Sequence, residues 1–96
     1  MPNATIPLTE NAWTLITPAD VAAEVTFQAR NGAAFVAATV GPVPPSVTPP
    51  YAGVLYPDSF GESGRTLAAI FPGVAGANRL YAYTSLPGVE VFVSFA

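Results

Sequence analysis

The sequence predicts an all-β fold, a small antiparallel β-sandwich or barrel with an extended N-terminal arm and a proline-rich loop. Short runs of β-branched, aromatic and alternating apolar residues follow one another closely, and turn dipeptides such as Asn31-Gly32 and Pro87-Gly88 separate them. Short strands with glycine- and proline-containing turns are typical of sandwiches and barrels. At 96 residues, the chain has room for one domain with one hydrophobic core.

The N-terminal segment, residues 1–12, is polar, contains two prolines and shows no periodicity. We predict that it forms an extended arm and that ordered structure begins near Trp13. Residues 13–96 then form a single β domain. Its first short strand covers residues 13–17 and ends at Pro18, because proline has no N–H to donate to a strand ladder.

Residues 21–40 predict a hairpin. Residues 21–30 alternate between an apolar face and a polar face, which is the pattern of a half-buried strand. Asparagine and glycine tolerate the positive φ angles of a type I′ turn. Asn31-Gly32 therefore predicts that residues 33–40 pair back, antiparallel, with the preceding strand.

The middle of the chain is rich in proline. Residues 42–50 contain five prolines, which predicts a polyproline-like connector that cannot join a central sheet but can reach across a surface. Residues 51–56 predict another strand, and residues 58–64 predict a loop. Residues 65–71 fit either a strand or a single helical turn, and we favour the strand.

The last part of the chain predicts a closing hairpin. Tyr81 and Tyr83 share one face of a strand at residues 79–84. Pro87-Gly88 fits the two central positions of a type II turn, and residues 89–95 alternate again. The chain is therefore predicted to end inside its own sheet.

Composition excludes most catalytic chemistry. The chain has no His, Cys or Lys, so the usual catalytic triads and zinc sites lack their residues. Asp58 and Glu62 share one predicted loop, where they could act as a carboxylate pair or bind Ca²⁺. Two acids in a glycine-serine loop fit ordinary turn chemistry better. We expect no catalytic residue, no metal, no cofactor and no enzymatic activity.

The charge balance also limits the partners. The net charge is −3, whereas nucleic-acid binding depends on clustered Lys and Arg, so we expect no nucleic-acid partner. No apolar run approaches the roughly 20 residues that cross a bilayer, and the N-terminus has no secretory signal pattern. We expect a mature, soluble protein without a membrane partner.

The surface is predicted to bind other protein. Only 9% of the residues are charged, against about 25% in ordinary soluble domains, which favours a subunit of an assembly. Aromatic residues are enriched in such interfaces. The candidate interface residues are Trp13, Pro44, Pro45, Pro49, Pro50, Tyr51, Tyr81 and Tyr83. The tyrosines could instead line a carbohydrate-binding face.

The runs at residues 66–83 and 91–94 resemble segments of small virion-associated proteins of tailed bacteriophages. The resemblance implies a noncatalytic capsid decoration, or cement, protein that forms a homo-oligomer, either a dimer or a trimer. Such a protein is assembled in the host cytoplasm and binds the outside of the virion capsid, with the major capsid protein or another virion protein as its partner. No contact residue carries over, because these proteins share no contact motif. The alternatives are a tail, connector or head-fibre subunit, and a carbohydrate- or receptor-binding β module.

Overall fold

The computed structural model describes residues 3–46 and 53–95, and within them the chain forms eight strands and one short helix. In chain order these elements are β1 (Asn3–Pro7), β2 (Trp13–Leu15), β3 (Glu24–Arg30), β4 (Ala34–Thr39), β5 (Val54–Tyr56), β6 (Gly61–Thr66), α1 (Leu67–Ile70), β7 (Arg79–Tyr83) and β8 (Glu90–Phe95). The predicted all-β sandwich is confirmed.

The strands form two antiparallel sheets of four, with the order β1-β8-β3-β6 in sheet I and β2-β7-β4-β5 in sheet II. The pairing is nested, because β1 pairs with β8, β2 with β7, β3 with β6 and β4 with β5. The contacts of β3 with β8 and of β4 with β7 then complete the two sheets. This is the strand order of a jelly roll, a double-sheet fold found in viral capsid domains, lectins and cupins.

Strand direction places the links between strands at two ends of the sandwich. Four short links, at residues 8–12, 31–33, 57–60 and 84–89, meet at one end, which we call the short-link end. Three longer links, at residues 16–23, 40–53 and 67–78, meet at the opposite, long-link end.

Asn78 holds the three long links together. Its N–H donates to the Thr39 carbonyl at 3.0 Å, and its own carbonyl accepts from the Val21 N–H at 2.9 Å. Its side-chain Oδ1 accepts from the Gly41 N–H at 2.7 Å. Arg79 adds an ion pair to Asp20 at 2.9 Å.

Alternate residues of both sheets fill one core. The inward residues of β3 and β8 include Val25, Phe27, Val91 and Val93, each at most 1% exposed, and Leu80 of β7 is fully buried. The rings of Phe27 in sheet I and Tyr56 in sheet II meet edge to face at 5.0 Å between centroids. This contact joins the two sheets.

Neither predicted hairpin forms. β3 and β4 lie in different sheets, and so do β7 and β8, although Asn31, Gly32 and Gly88 adopt the predicted positive φ angles. Both dipeptides therefore carry the chain from one sheet to the other. A turn dipeptide specifies the local backbone, whereas the strand partner depends on which apolar faces meet across the core.

Ordered structure begins before Trp13, where we expected it to start. Residues 3–7 form β1, the edge strand of sheet I, paired along its length with β8. Ile6 packs against the core cluster, so the segment contributes to the sandwich. In the proline-rich connector, residues 42–46 form no strand, and residues 47–50 lie outside the described residues.

The segment from residue 58 to residue 71 also differs from the prediction. The predicted loop at residues 58–64 is shorter, because β6 begins at Gly61. The predicted strand at residues 65–71 is wrong in its second half, where the helical turn α1 forms. Thr66 caps α1 by accepting the Ala69 N–H at 3.2 Å. Leu67, Ile70 and Phe71 share the helical spacing that faces the core.

Replacing Gly32 by alanine should destabilise the fold more than the same change at Gly88. A Cβ at Gly32 would lie 2.8 Å from the Cγ2 atom of Val89, and its φ is +141°, whereas Gly88 has φ +76° and open space around it. We expect Gly32→Ala to cost at least about 2 kcal/mol and Gly88→Ala about 1 kcal/mol. Urea unfolding of both variants tests this. Equal losses would show that the approach to Val89 is not a constraint.

Candidate functional site

The charged side chains are distributed unequally between the two sheets. The strands of sheet I carry five of the nine charged residues, namely Glu24, Arg30, Glu62, Arg65 and Glu90. Three more acids lie in links, and the strands of sheet II carry Arg79 alone. The Arg79 side chain is 15% exposed and is paired with Asp20. Sheet II therefore presents an almost uncharged surface.

A row of large apolar side chains crosses the outer face of sheet II. Trp13 of β2 pairs with Tyr83 of β7, Tyr83 with Phe35 of β4, and Phe35 with Leu55 of β5. Directly paired residues of antiparallel strands project from the same face of a sheet. This face points away from the core, because Val36, the neighbour of Phe35, is a core residue.

A second row lies beside the first, where Leu15, Tyr81 and Ala37 pair across three strands. Tyr81 is only 4% exposed although it is not part of the core cluster. Tyr81 is therefore buried on the outer side of sheet II. We call this surface the aromatic face and define it by Trp13, Leu15, Phe35, Leu55, Tyr81 and Tyr83.

Gly53 lies close to the aromatic face at the start of β5. A Cβ there would be 3.2 Å from the indole Cη2 atom of Trp13 and 3.4 Å from the Cβ of Phe35, and its φ is +88°. The missing side chain lets the backbone enter β5 against these rings. Trp13 and Tyr83 themselves meet edge to face, with centroids 5.4 Å apart and an interplanar angle of 61°.

The structure brings together three of the predicted interface residues, Trp13, Tyr81 and Tyr83. Pro44 is exposed and Pro45 half-buried in the connector, where Pro45 lines a groove together with Ala37 of the second row, whereas Pro49, Pro50 and Tyr51 lie outside the described residues. Sequence reasoning missed Leu15, Phe35 and Leu55. The signal for Phe35 was present, because in residues 33–40 it alternates with the small core residues of β4.

An open, mostly apolar groove of about 410 Å³ lies at the long-link end beside β4. Its lining includes Pro45, Val54, Phe71 and Val74. Val40 and Val43 stand on the same link, 58% and 62% exposed. The long-link end therefore presents exposed apolar side chains next to an apolar groove, close to the connector.

The outer face of sheet I is polar by contrast. The Arg30 guanidinium lies over the Phe92 ring, 5.0 Å from its centroid, and its Nε donates to Gln28 Oε1 at 3.0 Å. The Gln28 amide donates in turn to the Ser59 carbonyl at 3.0 Å. These polar groups form hydrogen bonds with one another, and the outer face of sheet I is therefore polar.

Asp58 and Glu62 have separate structural partners. Asp58 Oδ1 accepts from the Asn31 N–H at 3.1 Å, which joins two links at the short-link end. Glu62 Oε2 accepts from the Tyr56 hydroxyl at 2.9 Å, and its Oε1 lies 3.9 Å from Arg65. Both carboxylates thus serve the fold, as ordinary loop and strand residues do.

Among residues 3–46 and 53–95, no three acidic side chains converge in a group that could hold a metal ion. The one short helix of the described chain, α1, is far below the length and apolar character of a membrane span.

Comparison with protein-family models, curated proteins and solved structures gave no match. Function is therefore argued from the geometry of the chain itself.

Ionisation of the Tyr56 hydroxyl should lower the free energy of unfolding at alkaline pH. Burial raises the pKa of its hydroxyl well above its ordinary value of 10.0, and the hydrogen bond to Glu62 adds to the rise. Above pH 10 the unfolded chain releases this proton before the folded chain does, so the free energy of unfolding decreases as pH increases.

The variant Tyr56→Phe should be about 1 kcal/mol less stable than the wild type near pH 8, because it lacks the hydrogen bond to Glu62. It also lacks the ionisable hydroxyl, so the gap should narrow as pH rises above 10. Urea unfolding of both proteins at a series of pH values measures the gap. A gap that stays constant would contradict the assigned role of Tyr56.

Proposed function

We propose that this protein is a noncatalytic structural subunit of a bacteriophage virion that binds the outside of the capsid lattice as a decoration, or cement, protein. Its partners are the major capsid protein or other virion proteins, and it acts as a homo-oligomer on the capsid exterior. The observation that carries the proposal is the uncharged aromatic face on one side of a jelly roll. A tail, connector or head-fibre position is the nearest alternative.

The fold supports this proposal only by analogy, because jelly rolls serve virion shells and also lectins and cupins. The surface gives more direct support. The half-buried residues Trp13, Tyr83 and Phe35 form one apolar row on the outside of the sandwich, which continues to the exposed Leu55. Contiguous apolar patches at the surface mark interaction sites. The core of an interface between proteins is likewise rich in aromatic side chains and poor in charged ones.

A carbohydrate-binding module is the second candidate, because aromatic rings stack on sugars. The geometry favours a protein partner over a sugar. Trp13 and Tyr83 are inclined by 61°, so the two rings cannot lie flat against the same sugar plane. Sugar sites also need several convergent polar groups, and the row that holds these rings adds only Phe35 and Leu55.

We place the contact with the capsid at the long-link end. Val40 and Val43 are more than half exposed there, beside the apolar groove and the proline connector. Each copy then needs only a modest affinity, because an oligomer binds a repeating lattice through several equivalent contacts.

Cosedimentation with phage heads that lack the protein tests the proposal. We expect binding at a fixed number of copies per lattice unit and slower disruption of the loaded heads by heat. Absence of binding to heads, combined with binding to isolated tails, would move the protein to the tail position. Absence of binding to any virion part would overturn the virion role.

The double variant Val40→Ser, Val43→Ser should bind heads at least about tenfold more weakly, because burying each valine side chain contributes roughly 1 kcal/mol or more. Phe60→Ser is the matched control. Phe60 is 63% exposed and lies at the short-link end, so this variant should bind like the wild type. Equal binding of both variants would refute the long-link end as the contact.

A further inference from the structure

We infer that the aromatic face is covered by the aromatic face of a second copy of this chain, in a two-fold symmetric dimer in which sheet II packs on sheet II. The inference deepens the proposed function by assigning the homo-oligomer contact. It leaves the long-link end free for the capsid. The charge, the composition and the size of this side of the sandwich favour a partner of identical sequence.

Charge favours a partner of identical sequence. In a two-fold interface the same patch meets itself, so any unpaired charge near the axis would meet a like charge. The chain carries a net charge of −3, yet none of its six acids lies on a strand of sheet II. The one charge on these strands, Arg79, is already paired with Asp20 at 2.9 Å. The patch that can best tolerate meeting itself is therefore the aromatic face.

The composition of the face also fits a permanent contact. Permanent homodimer interfaces are more apolar than transient ones and resemble a domain core cut in half. The row Trp13, Tyr83, Phe35 and Leu55 holds no charged side chain. Leu55, at one end of this row, is 52% exposed, and Trp13, Tyr83 and Phe35 are half-buried, so part of this apolar surface contacts water in a single copy.

The size of the sandwich permits such a contact. Its extents are 31 × 26 × 19 Å, so its broadest side has an outline of about 800 Å², and a standard interface takes about 800 Å² from each partner. A dimer contact of standard size therefore needs most of one side of the sandwich.

Trp13 is a built-in reporter of this contact, because it is the one tryptophan of the chain and it lies on the aromatic face. If two faces pack together, acrylamide should quench the Trp13 fluorescence less in the dimer than in the monomer. The change should follow the same dilution curve as the mass measured by sedimentation velocity.

The decisive comparison uses the full-length chain and two variants that add the same charge. Leu55→Glu places an acid on the aromatic face, and Leu86→Glu places one at the short-link end, where Leu86 is 49% exposed. Sedimentation velocity should find a dimer for the wild type and for Leu86→Glu. For Leu55→Glu we expect at least a tenfold weaker dimer and Trp13 quenching like that of the diluted wild type.

Two controls keep the outcomes distinct. Leu55→Lys should weaken the dimer as well, and urea unfolding should show that the variants remain folded.

A wild type that is monomeric at every concentration, or a dimer that Leu55→Glu leaves intact, would overturn the inference. If the protein is monomeric and acrylamide quenching of Trp13 falls only when phage heads are added, the aromatic face contacts the capsid. The inference then fails while the proposed function stands. A dimer that binds no head would leave the inference intact and remove the proposed function.

Discussion

The nested pairing of the strands is the constraint on which the rest of the structure depends. The first strand pairs with the last, and each inner pair follows in turn until β4 meets β5. Of the seven connections between consecutive strands, only that from β4 to β5 stays within one sheet. Every other link must cross the edge of the sandwich, which requires close approach at the ends. Gly32, with its φ of +141° and Val89 directly beside it, is one position where the crossing brings two links into close contact.

The links that cross between the sheets are held in place although the chain has few charged residues. The links are held by backbone and amide groups: Asn78 ties three links at one end, and Asn31 bonds to Asp58 and Glu90 at the other. Such bonds need no Lys or His. In the described chain no buried side-chain nitrogen or oxygen lacks a hydrogen-bond partner, so polar groups at the ends cost little even though the chain is small.

The sequence predicted much of the local structure and less of its arrangement. The alternation in β3 and β8 identified Val25, Phe27, Val91 and Val93 as buried residues, and the positive φ angles at Asn31 and Gly88 followed from residue type. The strand partners could not be read in the same way. Asn-Gly joins a hairpin when the two flanking strands share a sheet, but here their apolar faces oppose each other across the core.

The candidate site shows the same division. Trp13, Tyr81 and Tyr83 were predicted as interface residues, and Tyr81 and Tyr83 as sharing a strand face, but the sequence could not show that Trp13 lies on the same face. Trp13 and Tyr83 are 70 positions apart in the sequence and become neighbours only because β2 and β7 pair. Phe35 joins them through β4, which the predicted hairpin had assigned to a different neighbour. The four strands of sheet II are neighbours in the sheet, but most of them are far apart in the sequence. The surface that they form is visible only once the strand order is known.

The strand edges direct association toward a face of the sandwich. β2 and β5, the two edges of sheet II, are three residues long, and short edge strands offer few free backbone groups to another chain. The edge strand β1 of sheet I includes Pro7, which has no N–H to donate. Edge-to-edge pairing is therefore weak at three of the four edges. The apolar surface of sheet II has no such protection, because its outward side chains are Trp13, Tyr83, Phe35 and Leu55 where a solvated sheet would carry polar residues.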